Sequence, residues 1–367
     1  MINKDIVLHL SLISDIASGT IKKILSAIDS KALVDLYQFC VGDFVRMGIS
    51  ESKAQLIVQG LADKAILEKE YALMAQHGAK FVSVDCDEYP ALLKQIDTPP
   101  AILYYQGDVE LFKQQKMLAC VGARKAHGYV RDCLNQIVKP LVLQDWVVVS
   151  GGAMGADTYV HQMVLDNRGK TIAVVGSGLC YQYPSSNKRL FKGIVESGGL
   201  IVSSFAMGIQ PEARCFPIRN RIISGLSVGC LVLQAASKSG ALITAQFSLE
   251  QGREVFAVPG SIYDPLSAGC HDLIKQGAKL VGAPQDIEEE FSWLMHAVKP
   301  AMQDSVVSHV KMGGLEQQLL QALVTEKSVQ DLVDALGVDQ AVLHDKLFDL
   351  SLEGVVEQGF TGLWKRV

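Results

Sequence analysis

Three glycine-rich turns of the sequence could hold phosphate groups, because each directly follows a run of apolar residues. The turns are Gly122-Ala123-Arg124, Ser150-Gly151-Gly152-Ala153-Met154-Gly155 and Gly176-Ser177-Gly178. Glycine permits close approach of the backbone to a ligand, and the N–H groups at the start of a following helix attract anions. Three such turns in succession fit a polymer with repeating phosphates as well as a nucleotide, whereas a single turn has an equally good steric explanation.

Polar side chains near these turns could complete a phosphate-binding surface. Arg124 could form two parallel hydrogen bonds with a phosphate, and Lys188 would add a cation nearby. The further candidates are Asn187, Arg219, Asn220, Arg221, Ser239 and Thr244. The two later arginines have an alternative role of equal weight, in which they brace the loops from inside. Ser239 is expected first to cap a helix and only second to face a phosphate.

Asp157 and His161 lie one turn apart on a predicted helix and could form an acid/base pair. A structural role is favoured, because Asp157 in the first turn complements the helix dipole and neither residue has a nucleophile or metal motif beside it. The sequence also lacks the G-x-S-x-G, P-loop and paired-carboxylate signatures. It therefore predicts no catalytic residue, no metal site and no cofactor.

The elements that must position these residues lie between residues 117 and 281, where short β-branched runs alternate with helical stretches. Strands are predicted at 117–121, 146–149, 171–175, 200–202, 230–233 and 255–258, and helices at 128–143, 156–165, 188–196 and 241–251. The apolar stretch 222–236 is interpreted as a buried strand, and the prolines at 90, 99 and 100 predict an extended lead-in. Nearly continuous apolar strands separated by helices indicate an α/β fold with a doubly wound, mostly parallel sheet, extended Rossmann-like in type. Its ligands would bind at the carboxyl ends of the strands.

The flanking parts of the chain have a helical periodicity. Residues 1–80 predict a small helical domain of the SAM or helix-hairpin-helix type, in which Ser50 caps a helix after a turn at 47–49; a plain packing turn is at least as good an explanation. Residues 81–298 form the predicted Rossmann-like domain and 299–312 a linker. Helices at 315–325, 328–336 and 340–350, followed by strands at 355–358 and 363–367, predict a winged-helix domain over 313–367.

Bulk composition limits the cellular setting. The formal net charge of −5 argues against a protein coated in basic surface, so any nucleic-acid site must be local. The eight cysteines are scattered without C-x-x-C pairs, which is typical of reduced core residues. Residues 1–12 do not form a secretory signal, and 222–236 is too short and polar to cross a bilayer. We expect a cytoplasmic protein without membrane insertion.

These blocks together resemble the DprA/Smf family (DNA processing protein A). The resemblance runs from about residue 89 to 278, and its most specific block is Phe-Pro-x-Arg-Asn-Arg-Ile-Ile-x-Gly-Leu at 216–226. It implies a non-enzymatic protein that binds and protects incoming single-stranded DNA, helps to load the RecA recombinase in natural transformation, and forms a homodimer through the Rossmann-like domain. It also implies DNA contacts by Arg124 and Lys188.

The chain departs from the family pattern at several positions. Ala123 replaces the usual serine and Met154 the usual arginine, which changes the phosphate contacts that the resemblance implies. Residues 315–367 hold four lysine or arginine residues against nine aspartate or glutamate residues. An acidic helix is a poor match for a DNA groove, so we expect the winged-helix domain to bind protein or to regulate.

Two enzyme classes remain as alternatives. Nucleotide phosphoribohydrolases of the LOG type share a glycine-rich first motif resembling residues 151–155, but this chain lacks their Pro-Gly-Gly turn with a downstream glutamate, since 239–244 has no acid before Glu250. Dinucleotide-binding oxidoreductases need G-x-G-x-x-G after the first strand, and only Gly122 fits there. The phosphoribohydrolase is the stronger of the two rivals.

Overall fold

The computed structural model describes residues 3–28 and 30–292 and, in the C-terminal part, 319, 322–323, 327–339, 342–343, 346–347, 350, 356–358 and 363–366. It separates into two compact units, Met1–Val298 and Lys299–Val367. Within the described residues, no helix combines the length and the apolar character that a membrane crossing requires.

The larger unit is built on a sheet that has nine strands within the described residues. The strands are β1 Lys80–Ser83, β2 Ile102–Gly107, β3 Met117–Gly122, β4 Val147–Ser150, β5 Thr171–Val174, β6 Leu200–Ser203, β7 Gly229–Gln234, β8 Glu254–Ala257 and β9 Lys279–Leu280. Their order is β1-β2-β6-β5-β4-β3-β7-β8-β9. The pairs from β6 to β9 are parallel, whereas β2 runs antiparallel to both β1 and β6. This confirms the predicted α/β fold with a mostly parallel sheet.

Helices precede the sheet and connect its strands. In the larger unit they are α1 Asn3–Leu12, α2 Ser18–Ala27, α3 Val41–Arg46, α4 Glu51–Ala62, α5 Lys64–His77, α6 Ala91–Lys94, α7 Gly128–Cys133, α8 Lys139–Val142, α9 Ala156–Asp166, α10 Lys188–Glu196, α11 Cys215–Leu226, α12 Gly240–Glu250, α13 Ala268–Lys275 and α14 Gln285–Glu288. A π-helical turn, Leu134–Val138, joins α7 to α8.

Both faces of the sheet are covered, which explains the nearly continuous apolar strands. In β3, Leu118 and Cys120 pack with the α7 and α9 side, whereas Ala119 and Val121 belong to the core beneath α11 and α12. At the other end of the sheet, Ile102 and Tyr104 of β2 share a core with the N-terminal helices. Burying each large aliphatic side chain stabilises the fold by roughly 1.5–3 kcal/mol.

The strand order reverses beside β3. Strands β4, β5 and β6 follow it on one side, and β7, β8 and β9 lie on the other. At such a switch point the loops leave the sheet in opposite directions, so a crevice opens at the carboxyl ends of the strands. The first and second glycine turns follow β3 and β4 and therefore reach this crevice.

The N-terminal segment is helical over α1 to α5, with a 3₁₀ segment Ser30–Gln38 between α2 and α3. Ser50 occupies the N-cap position of α4, but its side chain makes no capping hydrogen bond and instead lies 3.4 Å from the hydroxyl of Ser52. The predicted cap by Ser50 is therefore wrong. The assignment of these helices to a SAM or helix-hairpin-helix type stays a prediction.

Two stretches of the larger unit, 222–236 and the region around 89–100, differ from the sequence-based expectation. The stretch 222–236 is not one strand, because Ile222 to Leu226 form the end of α11 and only Gly229–Gln234 is strand. The lead-in at 89–100 was expected to be extended, yet it contains the short helix α6, and strands β1 and β2 on either side of it were not predicted.

The smaller unit has a core of its own, which includes Leu332, Leu347 and Trp364. Helix α15, Val329–Leu336, begins after Ser328, whose hydroxyl accepts a hydrogen bond from the Asp331 N–H. Strands β10 Val356–Gln358 and β11 Trp364–Arg366 pair antiparallel, as predicted. The predicted linker 299–312 and most residues of the predicted helices 315–325 and 340–350 lie outside the described residues. The winged-helix assignment stays a prediction.

Candidate nucleic-acid interface

A cavity of about 550 Å³ opens at the switch point of the sheet. Its walls come from the turn after β3, the turn after β4, the N-terminal half of α11 and the start of α12. Five of the predicted site residues with polar side chains line it: Arg124, Arg219, Asn220, Ser239 and Thr244. The unpredicted Lys125 lines it as well. The main cavity, as we call it, therefore brings together residues that are up to 120 positions apart in the chain.

The first and second glycine turns pack directly against each other. Gly155 has a φ of +82° and faces the backbone carbonyl oxygens of Ala123 and Arg124 so closely that a Cβ would collide with them. Gly152 has a φ of +63°, and a Cβ there would lie 2.6 Å from the Phe191 ring. Both positions thus need glycine for conformation and for space. The arrangement places Arg124 and the loop at 151–155 on the same face, as the sequence predicted.

A cation and two aromatic rings lie at one edge of the main cavity, and we call this group the Arg124 rim. Arg124 and Phe216 line the cavity, and Tyr183 shares a small adjoining space with them. The guanidinium carbon of Arg124 lies 5.1 Å from the centroid of the Phe216 ring, and that ring is 6.0 Å from the Tyr183 ring. Arg124 is exposed, and Tyr183 is 44% exposed. Exposed rings beside a guanidinium can stack nucleobases while the cation meets a phosphate.

Phe216 was missed as a site residue by the sequence analysis, although it begins the most specific family block. Lys125 was missed as well, and its signal was its position next to Arg124. A third unpredicted group, Gln234, His127 and Asp264, lies near the same edge: the Gln234 amide nitrogen is 2.7 Å from His127 Nε2 and donates to Asp264 Oδ2 at 2.9 Å. No motif in the sequence connects these three residues.

Arg219 lies under the loop at 151–153 and is almost completely buried at the wall of the main cavity. It is 4% exposed, and its Nη1 donates to the Val174 carbonyl oxygen at 2.6 Å. Burial lowers the pKa of its guanidinium to about 10. Asp157 is buried beside it and accepts a hydrogen bond from the Ala153 N–H at 3.2 Å. Burial raises the pKa of Asp157, and the charge of Arg219 opposes that rise. The two residues support the loop, as the bracing alternative proposed.

His161 has a structural environment too. Its Nδ1 is 2.8 Å from the Thr171 hydroxyl, which donates its only proton to the Val148 carbonyl oxygen at 2.7 Å. His161 therefore donates from Nδ1 and is neutral in the core. Burial lowers the pKa of His161 to about 3, and the charge of Arg219 lowers it further. The favoured structural interpretation of Asp157 and His161 agrees with this geometry.

Four other predicted site residues are buried, and three of them, Ser150, Ser177 and Asn187, hold the turns from inside. Ser150 donates to the Cys120 carbonyl oxygen at 2.7 Å, and Ser177 donates to the Tyr181 carbonyl oxygen at 2.6 Å. Asn187 donates to the Gly152 carbonyl oxygen at 3.0 Å, and Thr244 is 1% exposed at the wall of the main cavity. Direct contact of these four residues with a ligand stays a prediction, because the hydrogen bonds show only that the first three brace the turns.

The remaining candidates divide between surfaces. Ser239 caps α12 by accepting a hydrogen bond from the Ala241 N–H at 3.3 Å, as expected, and Asn220 donates to the Gly240 carbonyl oxygen at 3.3 Å. Lys188 is exposed and lines a neighbouring groove of about 540 Å³ with Tyr181 and Tyr183. Arg221 lines a different cavity on another side of α11, and its contact with nucleic acid stays a prediction.

The third glycine turn lies beneath the Arg124 rim. Gly176 lines a small space with Arg124 and Tyr183, and a Cβ on it would lie 2.9 Å from the Phe216 ring. Gly178 is buried against the backbone of Ala206 and Met207. This turn therefore packs against the Phe216 ring of the Arg124 rim.

The chain is similar to known proteins over the region that contains this site. Residues 80–292 match the model of a family described as DNA recombination-mediator protein A. The DNA processing protein DprA of Streptococcus pneumoniae is 43% identical over 231 residues, which cover 63% of this chain and 79% of the relative. Protein Smf of Escherichia coli is 38% identical over 242 residues, 66% of this chain and 64% of the relative.

Two solved structures share the fold. The X-ray structure of DNA processing protein A from Streptococcus pneumoniae superposes with a TM-score of 0.68 at 36% identity and covers 78% of this chain and 97% of its own. A structure of DNA processing protein A from Helicobacter pylori, described for its single-stranded DNA binding mode, superposes with a TM-score of 0.53 at 25% identity and covers 58% of this chain and 96% of its own. The family match spans β1 to β9 and the whole main cavity.

Proposed function

The chain belongs to the DNA recombination-mediator protein A family, also called DprA/Smf, and from this premise we propose that it binds single-stranded DNA along the main cavity. The observation that carries the proposal is the Arg124 rim, where an exposed guanidinium lies over Phe216 and beside Tyr183. In a DNA strand that lies along this rim, the phosphates contact the cations and the bases stack on the aromatic rings. Such contacts hold a strand with little sequence preference.

Three features support this mode of binding. The cavity is open at the carboxyl ends of the strands, where ligands of this fold class bind. Lys125 on its wall and Lys188 in the neighbouring groove extend the positive charge beyond Arg124. The Helicobacter pylori neighbour is described for single-stranded DNA binding. The net charge of −5 does not oppose the proposal, because Arg124, Lys125 and Lys188 supply positive charge locally.

Photocrosslinking tests the location of the strand. A strand that carries 5-iodouracil should crosslink to peptides containing Phe216, Tyr183 or Tyr181, because photoreaction favours nearby aromatic rings. The same strand annealed to its complement is the control and should crosslink less. Crosslinks confined to the C-terminal unit would contradict the proposal.

The cellular role that we propose follows the family resemblance. The protein protects incoming single strands in the cytoplasm, helps to load RecA during natural transformation, and forms a homodimer through its Rossmann-like domain. We propose domains at 1–80, 81–298 and 313–367, joined at the last boundary by a linker at 299–312. Nuclease protection of a bound strand, RecA filament formation on coated DNA, and sedimentation of the free protein each test one of these statements.

We propose a binding role without catalysis. The rival activity is hydrolysis of nucleotides by a LOG-like phosphoribohydrolase, since a buried carboxylate, Asp157, lines a cavity of nucleotide size. That carboxylate is engaged by the Ala153 N–H and lies beside Arg219, which favours a structural role. Incubation with nucleoside monophosphates should release no free base. If free base is released, and the Asp157→Asn variant releases none, the phosphoribohydrolase activity is established instead.

A further inference from the structure

The loop after β8 carries two exposed apolar residues, Ile262 and Tyr263, which we call the loop tip. Ile262 is 81% exposed and Tyr263 is 90% exposed, and among the large apolar and aromatic side chains that the structure describes none is more exposed than Tyr263. The residues on either side of the tip, Ser261 and Asp264, are polar, so the tip does not continue into a wider apolar face. An exposed aromatic ring of this kind offers a flat surface on which one nucleobase can stack.

Asp264 fixes the backbone that presents the loop tip. Its carboxylate accepts hydrogen bonds from the Leu266 N–H and from the Gln234 amide, both at 2.9 Å, and its Oδ2 lies 3.0 Å from Nε2 of His127. The Asp264 N–H donates to the Ser261 carbonyl oxygen at 3.1 Å, which closes a turn around the tip. The turn is thus tied both to the end of β7 and to the residue before α7. A side chain on a turn held in this way loses little conformational entropy of its backbone when a ligand binds.

The same loop forms part of the wall of the main cavity. Leu266, three residues after Tyr263, lines that cavity, and Lys125 adds a cation to the same wall. The loop follows β8, so it lies at the carboxyl edge of the sheet, as the Arg124 rim does. The Asp264 side chain is only 22% exposed, which limits its repulsion of a phosphate. The loop tip is therefore continuous with the proposed DNA interface.

The order of the strands sets the distance between the Arg124 rim and the loop tip. Tyr183 follows β5 and Tyr263 follows β8, and the strands between these two in the sheet are β4, β3 and β7. Four spacings of about 4.8 Å between neighbouring strands place the ends of β5 and β8 about 19 Å apart. A single strand of DNA covers this distance in about six nucleotides at a stacked rise of about 3.4 Å, and in fewer when it is extended. One bound strand is therefore long enough to contact both rings at once.

We propose that Tyr263 stacks a nucleobase of the strand that the Arg124 rim binds, so that the strand crosses the carboxyl edge of the sheet from the rim to the loop after β8. This inference rests on the proposed function, because it assigns a second base contact to the same single-stranded DNA. The fixed turn presents the ring, and the main cavity with Lys125 on its wall adjoins the loop. Bases that are already stacked inside a duplex cannot stack on Tyr263, so the contact favours single strands.

The test measures the affinity of the full-length protein for a thymidine strand of about 15 nucleotides, which is longer than the distance between the two rings. The variants are Tyr263→Ala, Tyr263→Phe and the control Leu143→Ala, which removes a side chain that is 64% exposed and precedes β4, at the opposite edge of the sheet. Tyr263→Ala should weaken binding by about fivefold or more, as expected for one lost base stack, whereas Tyr263→Phe keeps the ring and should stay within about twofold of wild type. The control should bind as wild type does.

Two further measurements identify the lost contact as a base at the far end of the strand. The slope of log K against log salt should be the same for Tyr263→Ala and wild type, because no phosphate contact is lost. A trinucleotide covers only about 7 Å at the stacked rise, so it should compete equally well for both proteins at the Arg124 rim. A strand with 5-iodouracil at one end should crosslink to the peptide that contains Tyr263, and with the label at the other end to peptides that contain Tyr183 or Phe216.

The failure of this inference is distinguishable from the failure of the proposed function. If Arg124→Ala makes the salt slope shallower but Tyr263→Ala binds the long strand as wild type does, only the contact at Tyr263 is overturned. If wild type does not bind single strands, the proposed function and this inference both fail. A changed sedimentation coefficient of Tyr263→Ala would assign the loop tip to contact between copies of the chain, and would overturn the inference as well.

Discussion

The guanidinium of Arg124 lies over the face of the Phe216 ring, with 5.1 Å between the guanidinium carbon and the ring centroid. Arg124 follows β3, whereas Phe216 is in the first turn of α11, so the switch point of the sheet brings them together. The ring orients the cation, and Arg124 remains exposed. A single interaction thus keeps the charge available at the rim of the main cavity.

Arg124→Ala should weaken binding to single strands of all sequences by similar factors. The lost contact is to a phosphate, so the slope of log K against log salt should become shallower by about 0.7. Fluorescence polarisation at several salt concentrations measures this. Arg131→Ala is the matched control, because Arg131 also lies over a ring, that of Tyr159 at 4.3 Å, outside the main cavity. Equal slopes for wild type and Arg124→Ala would remove Arg124 from the interface.

Gly155→Ala should lower the free energy of unfolding and weaken DNA binding together. The backbone at Gly155 has a φ of +82°, and a methyl group would collide with the Ala123 and Arg124 carbonyl oxygens. We expect a loss of about 1–3 kcal/mol in urea unfolding. Gly128→Ala is the control, since a Cβ there has no atom within 4 Å. If the two variants are equally stable, the two turns do not depend on each other.

Protonation of His161 should destabilise the protein below neutral pH. Its pKa is about 3 in the folded protein, lowered mainly by burial, and 6.5 when unperturbed. Between pH 6.5 and 3 the unfolded chain therefore binds a proton that the folded chain does not bind. The free energy of unfolding that depends on His161 is fully present above pH 6.5 and decreases as the pH falls toward 3. The contribution is about 1.4 kcal/mol per pH unit. His161→Leu should show a shallower dependence in urea unfolding between pH 6.5 and 5, and an identical slope would contradict the assignment.

Removal of residues 313–367 should leave the affinity for single-stranded DNA undiminished. The segment 315–367 has nine acidic and four basic residues, which oppose contact with a polyanion. Its described part has a separate core around Leu332 and Trp364. Polarisation titrations of the shortened and full-length chains make the comparison. A large loss of affinity would place this unit in the DNA interface.

The parallel strands β3 to β8 could be predicted from the sequence to within one residue at each end, whereas the two-residue parallel strand β9 was missed. Their positions are visible because both faces of the sheet are buried, which makes each strand a short apolar run between helices. Strands β1 and β2 were missed, since prolines between them suggested an extended chain and their antiparallel pairing depends on distant residues in β6. Ile222 to Leu226 looked like a strand because a short apolar run does not distinguish strand from buried helix. In the structure these residues belong to helix α11, which packs against α12.

The sequence predicted which loops form the candidate site, but it did not predict which way the side chains on these elements point. The glycine turns indicated where a ligand would bind, and the backbone contact between Gly155 and Arg124 agrees with that. For Arg219 and Arg221, two residues apart, the sequence left the same two roles open, contact with a phosphate or bracing of the loops from inside. On a helix this spacing turns them to different sides, so one is buried under the loop at 151–153 and the other lines a different cavity. Their different roles follow from their positions on helix α11, which was not predicted from the sequence.

The most direct test compares three ligands for the unmodified protein across salt: a single-stranded oligonucleotide, the corresponding duplex and a mononucleotide, each titrated by polarisation or competition. The main cavity and the exposed Tyr183 ring beside it predict strong, salt-dependent binding of the single strand and very weak binding of the mononucleotide. The duplex should bind more weakly than the single strand, because its bases are already stacked. Preference for the mononucleotide, or equal affinity for single strand and duplex, would contradict the account.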